Sequence, residues 1–238
     1  MSKKLFVALL LTIGAVGCGG GSSNSVTNSG TAGPQITPLP AADGQSMASP
    51  TVGDSRAGTD YRVEIVSPNS TAEAVVFQVL EPTTLTGGET YPIVLEGHGF
   101  GGSRQTGASS GGGAGLASVN LQALRDAGYG VVSIDQRGHG ESGGTIRVMD
   151  PDAEGNNLVA ILDWAQVNLD WLAFGRDDDI AGTNPLVGAT GLSYGGGYQM
   201  ILNAVDPRRR LDAIVPQITW NDLTFSLSPG EAIKSGWV

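Results

Sequence analysis

The side chain best placed for covalent chemistry in this sequence is serine, because serine recurs within the pattern Gly-x-Ser-x-Gly. That spacing lets a serine sit on a tight strand-to-helix turn with its hydroxyl projecting toward a carbonyl, the flanking glycines sparing the backbone a Cβ clash. In a chain with 37 glycines, composition alone produces the pattern about half a time. It occurs around Ser109, Ser142 and Ser193, so context has to choose. Ser109 lies in a glycine-rich loop, and Ser142 follows a strand pattern but precedes no helical one. Only Gly191-Leu192-Ser193-Tyr194-Gly195 follows an apolar strand and opens a helix. Ser193 is therefore the expected nucleophile, with Gly191 and Gly195 as the glycines of its elbow.

A second glycine run, Gly97-His98-Gly99-Phe100-Gly101-Gly102, follows the strand pattern ending at Glu96. It fits Gly-x-Gly-x-x-Gly, a dinucleotide fingerprint that needs a helix opening at its last glycine to meet the pyrophosphate. Here residues 103–115 read as loop, and Asp135 lies 33 residues beyond Gly102, where an acidic residue about 20 on is needed. The better reading is an oxyanion loop, whose backbone N–H groups stabilise the negative oxygen of a tetrahedral intermediate. His98 and Gly99 belong to that loop, and the backbone N–H groups of Phe100 and Tyr194 are the expected donors.

The elements that must position these residues alternate strand with helix. Tyr61, Val63 and Ile65 alternate with polar residues, Ala74 to Leu80 is a β-branched run, and Tyr91 to Glu96 is a third strand. Ser118 to Ala127 has helical spacing and ends at Gly128, and Tyr129 to Asp135 is again a strand. Asp150-Pro151 opens a helix as N-cap and first residue, with Leu158, Ile161, Leu162, Ala165 and Leu169 on one face. Leu186 to Leu192 is strand-like, Tyr194 to Ala204 helical and Leu211 to Pro216 a strand. This is an α/β pattern: a mostly parallel sheet with helices on both faces, the opening pair of strands forming an antiparallel edge.

Ahead of it stand Lys3, Lys4 and an apolar run from Leu5 to Val16, too short to span a bilayer but suited to a signal peptide. The run ends in Ala15-Val16-Gly17-Cys18, which resembles the lipobox of bacterial lipoproteins and makes Cys18 the expected lipidation site. Residues 1–17 are then a signal peptide and residues 18–60, rich in Gly, Ser, Thr, Asn and Pro, a flexible tether. The expected location is the bacterial cell envelope, exported and lipid-anchored, on the periplasm-facing side of the outer membrane or the cell surface. Cys18 is the sole cysteine, so no internal disulfide is available to the domain. The formal net charge of −10 argues against nucleic acid as a partner, since a polyanion binder needs a basic face. No cofactor is implied, and no His, Cys or acidic cluster has metal-ligand spacing.

His-Gly after one strand, Asp135-Gln136-Arg137-Gly138-His139-Gly140-Glu141-Ser142 after the next, and the Ser193 motif after a third resemble an α/β-hydrolase. Gly191-Leu192-Ser193-Tyr194-Gly195-Gly196 is similar to the Xaa-Pro dipeptidyl-peptidase and cocaine-esterase family. So is the following run Asp206-Pro207-Arg208, Asp212 to Pro216 and Trp220-Asn221-Asp222. The resemblance covers roughly residues 61–238. It implies a serine hydrolase that cleaves a small ester or peptide substrate through a covalent acyl-enzyme, with an esterase, lipase or polyester depolymerase as the alternative.

The chain departs from that family at one point. The fold orders its triad as Ser, then Asp or Glu, then His. Both histidines, His98 and His139, precede Ser193, and each sits in a loop with a structural role. Asp206 and Asp212 follow the elbow helix too closely to be the triad acid. The expectation is an N-terminal portion of a longer hydrolase, lacking its last strands with their acid and base and inactive alone. A non-catalytic lipoprotein of the same fold is the contrasting expectation.

Overall fold

The computed structural model describes residues 57–69, 71–108, 120–175 and 184–232. Six strands form one sheet: β1 (Asp60–Val66), β2 (Ala74–Leu80), β3 (Ile93–Gly97), β4 (Gly130–Ile134), β5 (Val187–Leu192) and β6 (Leu211–Gln217). Their spatial order is β1-β2-β4-β3-β5-β6. The β1 and β2 strands form an antiparallel edge, and β2 runs antiparallel to β4. The remaining pairs, β4 with β3, β3 with β5 and β5 with β6, are parallel. Pairing begins slightly before residue 61: Gly58 N–H donates to the Pro82 carbonyl and Glu81 N–H to that of Thr59.

Four α-helices accompany the sheet: α1 (Leu121–Asp126), α2 (Asn156–Asn168), α3 (Tyr194–Val205) and α4 (Leu223–Leu227). Asn120 caps α1, its side chain accepting from Ala123 N–H, and Gly128 follows with φ +86, as its position predicted. The helix is shorter than its spacing suggests. Asp150 caps the next segment through Asp152 N–H and Ala153 N–H, but residues 151–155 are a π-turn before α2 begins. The Glu154 side chain explains the wider turn: it reaches back to accept from Arg147 N–H at 2.6 Å and Asp150 N–H at 3.1 Å. The expected apolar face of α2 is buried, and Leu169, one residue past its end, is buried as well.

Side-chain alternation divides the core. One sheet face carries Val63, Phe77, Val132, Ile134, Leu95 and Ala189 against α2 and α3. Within it Phe77 meets Trp164 edge-on at 5.1 Å. The other face carries Leu80 and Val131 against Leu121 of α1. Gly130 is required where it stands, because a Cβ there would be driven into the Trp171 ring. Trp164 and Trp171 are thus core residues with no surface left for a ligand.

The β5 and β6 strands are tied at their starts, the Asp212 side chain accepting from Val187 N–H at 2.9 Å. A buried ion cluster seats the turn before β6. Arg210 donates to both oxygens of Asp206 and, at 2.6 Å, to Asp163 of α2. Asp206 also closes α3 as its C-cap. Burial alone would raise the Asp206 carboxyl, but the Arg210 guanidinium outweighs it and holds the group below its ordinary range.

Candidate active site

Ser193 lies between β5 and α3 with φ 56 and ψ −114, a left-handed backbone that a non-glycine residue rarely adopts. Such a residue stores on the order of 1–3 kcal/mol and persists only where its surroundings over-determine it. They do so here. Ser193 N–H donates to the Gln217 carbonyl at 2.9 Å, and the Ser193 carbonyl accepts from Gly196 N–H at 2.8 Å. A Cβ on Gly191 would strike the carbonyls of Gly195 and Gly97, and one on Gly195 would strike that of Gly97. Both elbow glycines are therefore sterically necessary, and they press the start of α3 against the end of β3. The Ser193 side chain makes no capping bond to the helix it precedes.

Tyr198, one turn into α3, anchors that contact from below. A Cβ on Gly97 would enter its ring. Its hydroxyl donates to the carbonyls of Leu95 at 2.9 Å and Thr190 at 3.0 Å, joining α3 to β3 and β5. Burial pushes the Tyr198 phenol well above its ordinary value, so the hydroxyl stays a donor.

Beside the elbow, residues 99–102 form a turn closed by Gly102 N–H donating to the Gly99 carbonyl at 3.0 Å, with Gly101 at φ +77. Phe100 occupies the turn, and Tyr194 opens α3, where its N–H has no acceptor within the helix. The turn and the helix start meet through their rings: Phe100 lies edge-on to Tyr194 at 5.5 Å.

His98 is committed at both ring nitrogens. Gln136 N–H donates to Nε2 at 3.2 Å, so Nδ1 carries the proton and donates to the Gly99 carbonyl at 2.7 Å. The Gln136 side-chain amide also donates to the His98 carbonyl at 2.7 Å. Burial, with His139 nearby, lowers the His98 pKa and keeps the imidazole neutral. His139 donates from Nδ1 to the Arg137 carbonyl at 3.0 Å. Neither histidine is hydrogen-bonded to Ser193.

The other two serine motifs separate from the site. Ser142 is buried and spans two strands, accepting from Val76 N–H at 2.8 Å and donating to the Asp135 carbonyl at 2.7 Å. It is a structural pin with its hydroxyl fully used. Ser109 and Cys18 lie outside the described residues. The nucleotide fingerprint also fails. Residues after Gly102 continue as loop, and the Asp135 carboxylate is taken by Arg104 N–H at 2.7 Å, the Arg104 guanidinium and Glu141 N–H at 2.9 Å. The Asp135 side chain is 0% exposed, out of reach of a ribose.

Ser193, the 99–102 turn and the elbow glycines thus converge at the carboxyl ends of β3 and β5. Three contacts were not legible from motifs: the Gln217 carbonyl on Ser193, the His139 ring edge-on to Phe100 and tilted against Tyr194, and the Trp220 ring 6.0 Å from that of Tyr194. His139 and Trp220 each stood in a family-like run, but nothing in those runs pointed to these partners. Among the described residues no group of three or more His, Cys, Asp or Glu side chains could hold a metal ion.

Comparison with known proteins agrees with this geometry. The chain is 27% identical over 149 residues to an uncharacterised 31.7 kDa Escherichia coli protein of the traX-finO intergenic region. The match covers 63% of this chain and 43% of that protein, so the chain spans less than half the length of the curated relatives it matches. Among solved structures, Pyrococcus furiosus esterase Pf2001 superposes with a TM-score of 0.51 at 19% identity, over 77% of this chain and 62% of the esterase. Porphyromonas gingivalis dipeptidyl peptidase 4 gives a TM-score of 0.49 at 18% identity, over 71% of this chain and 22% of that one. Residues 74–236 match the family described as X-Pro dipeptidyl-peptidase (S15 family). The chain, an α/β-hydrolase in fold, belongs to that peptidase family.

Proposed function

We propose that this chain carries the nucleophile and oxyanion half of a serine hydrolase acting on an ester or peptide bond. The observation that carries the reading is Ser193, held at φ 56 on a strand-to-helix turn between two glycines that admit no Cβ. The Ser193 hydroxyl attacks the substrate carbonyl carbon, and the carbonyl electron pair moves onto oxygen. The backbone N–H groups of Phe100 and Tyr194 stabilise that oxyanion. Collapse of the tetrahedral intermediate expels an alcohol or amine and leaves an acyl-serine, which water then hydrolyses. A general base must take the Ser193 proton and return it to the leaving group.

The base and its carboxylate are assigned to residues downstream of Val238. Two observations support this: both histidines bond to backbone groups and neither to Ser193, and the chain spans 43% of the length of its curated relative. The test is a fluorophosphonate probe on the protein extended downstream. Labelling at Ser193, lost in Ser193→Ala, is expected, together with p-nitrophenyl ester turnover absent from residues 1–238 alone. Labelling at Ser109 or Ser142 would overturn the assignment, and equal turnover by both lengths would refute the downstream base.

Anchoring of this domain to a bacterial envelope through lipidated Cys18 is part of the same proposal, resting on Ala15-Val16-Gly17-Cys18 after an apolar run. Incorporation of labelled palmitate, abolished in Cys18→Ser, tests it.

A further inference from the structure

The oxyanion turn is built almost wholly of glycine: Gly99, Gly101 and Gly102 surround Phe100. Glycine gives a backbone wide freedom, and the bonds from Gly102 N–H and His98 Nδ1–H to the Gly99 carbonyl restrain the turn on one side only. Phe100 supplies the only side chain in the turn, and the residue is 52% exposed. Among its contacts are two other rings, which form a triangle with it. His139 lies 5.3 Å from Phe100 at 85°, and 5.3 Å from Tyr194 at 43°. Phe100 and Tyr194 complete the triangle at 5.5 Å.

The imidazole is itself rigidly placed. It is 6% exposed, and its Nδ1–H donates to the Arg137 carbonyl at 3.0 Å. Its Nε2 is buried with no hydrogen-bond partner. An unpaired buried acceptor is destabilising, and an aliphatic residue would avoid it. An aliphatic residue would also lose the flat ring that contacts both neighbours and the donor that fixes its orientation.

We propose that His139 is a positioning residue for the oxyanion hole: its anchored imidazole braces the Phe100 and Tyr194 rings and thereby sets the spacing of their backbone N–H donors. This rests on Ser193 being the nucleophile and on those two residues being the donors. Oxyanion donors act over a narrow range of distance, and a displacement of about 1 Å costs on the order of 100-fold in rate.

The experiment is the first-order rate constant for fluorophosphonate labelling of Ser193 in the full-length protein, with kcat and KM for a p-nitrophenyl ester. Labelling passes through the same oxyanion geometry, and its rate constant does not depend on the fraction of protein folded. A purely structural role for His139 would lower the amplitude and leave the rate constant unchanged. His139→Leu is expected to slow labelling and kcat together by roughly 10–100-fold with KM within about twofold. His139→Phe, which keeps a ring between the two neighbours, is expected to recover most of that loss. If the leucine variant yields no folded protein, His139→Gln removes the ring while keeping an N–H donor, with the same slowing expected. A wild-type rate constant in the leucine or glutamine variant overturns the proposal and leaves the nucleophile assignment standing. Failure of the wild-type protein to label at Ser193 removes both.

Discussion

Ser193 N–H donates to the carbonyl of Gln217, the last residue of β6, at 2.9 Å. Ser193 is therefore held by two strands, β5 through the chain and β6 through this bond. Ile218 follows immediately with φ 37 and 67% exposure, an uncommon backbone for a β-branched residue. Strain is thus present on both sides of the same hydrogen bond, at the end of the sheet where the 99–102 turn also lies. Among the described residues β6 pairs with β5 alone. The elbow is supported through that pairing, through the β3–β5 pairing that ends at Gly97 and Gly191, and through the packing of α3.

Gly195→Ala tests that support. The added Cβ meets the Gly97 and His98 carbonyls, which are backbone and cannot move aside cheaply. A loss of about 1–3 kcal/mol is expected from overpacking, with loss of Ser193 labelling, both read by denaturant unfolding and probe adduct.

Ser142→Ala and Ser193→Ala should behave oppositely. The first leaves Val76 N–H and the Asp135 carbonyl without their buried partner, costing about 1–3 kcal/mol of stability while labelling persists. The second abolishes labelling with little change in unfolding free energy, since its hydroxyl makes no capping bond.

Acid should weaken the clamp between Glu73 and Arg137. The Arg137 guanidinium donates to both Glu73 oxygens, at 2.7 and 3.0 Å, and holds the carboxyl down to about 2 from 4.5. A depressed carboxylate stabilises the fold above its unfolded pKa and loses that contribution as pH falls through the folded one. The window is pH 4.5 down to about 2, and Glu73→Gln should flatten that limb in a denaturant series.

His98 adds a second acid limb at higher pH. Its folded pKa is lowered from 6.5, chiefly by burial. Its contribution is therefore complete above 6.5 and declines as pH falls below that value. NMR titration of the imidazole should show it neutral where free histidine is already charged.

The Arg210 cluster predicts a large structural effect remote from the site. Asp206 and Arg210 are each 1% exposed at the side chain. Asp206→Ala leaves a buried guanidinium half-paired and should cost about 3–5 kcal/mol, visible as a fall in melting temperature.

Periodicity determined the six strands and the first three helices to within a few residues, but not α4: Ala74 to Leu80 is a strand residue for residue, and Asp150, Gly128 and the α2 face occupy their expected places. These are local properties, set by side-chain alternation, caps and turn residues. The Ser193 motif was legible for the same reason, since a strand, a turn and a helix follow one another along the chain. Sequence could not decide which partners the ends of those elements meet. That Ser142 pins β2 to β4, that Arg104 occupies Asp135, and that Gln217 holds Ser193 all depend on strand order β1-β2-β4-β3-β5-β6. The bonded groups lie 24 to 66 residues apart, and only the packed sheet brings them within hydrogen-bond distance. His139 shows the same limit: as one residue of a loop it carried no signal for the Phe100 and Tyr194 rings, which reach it from two other strand ends.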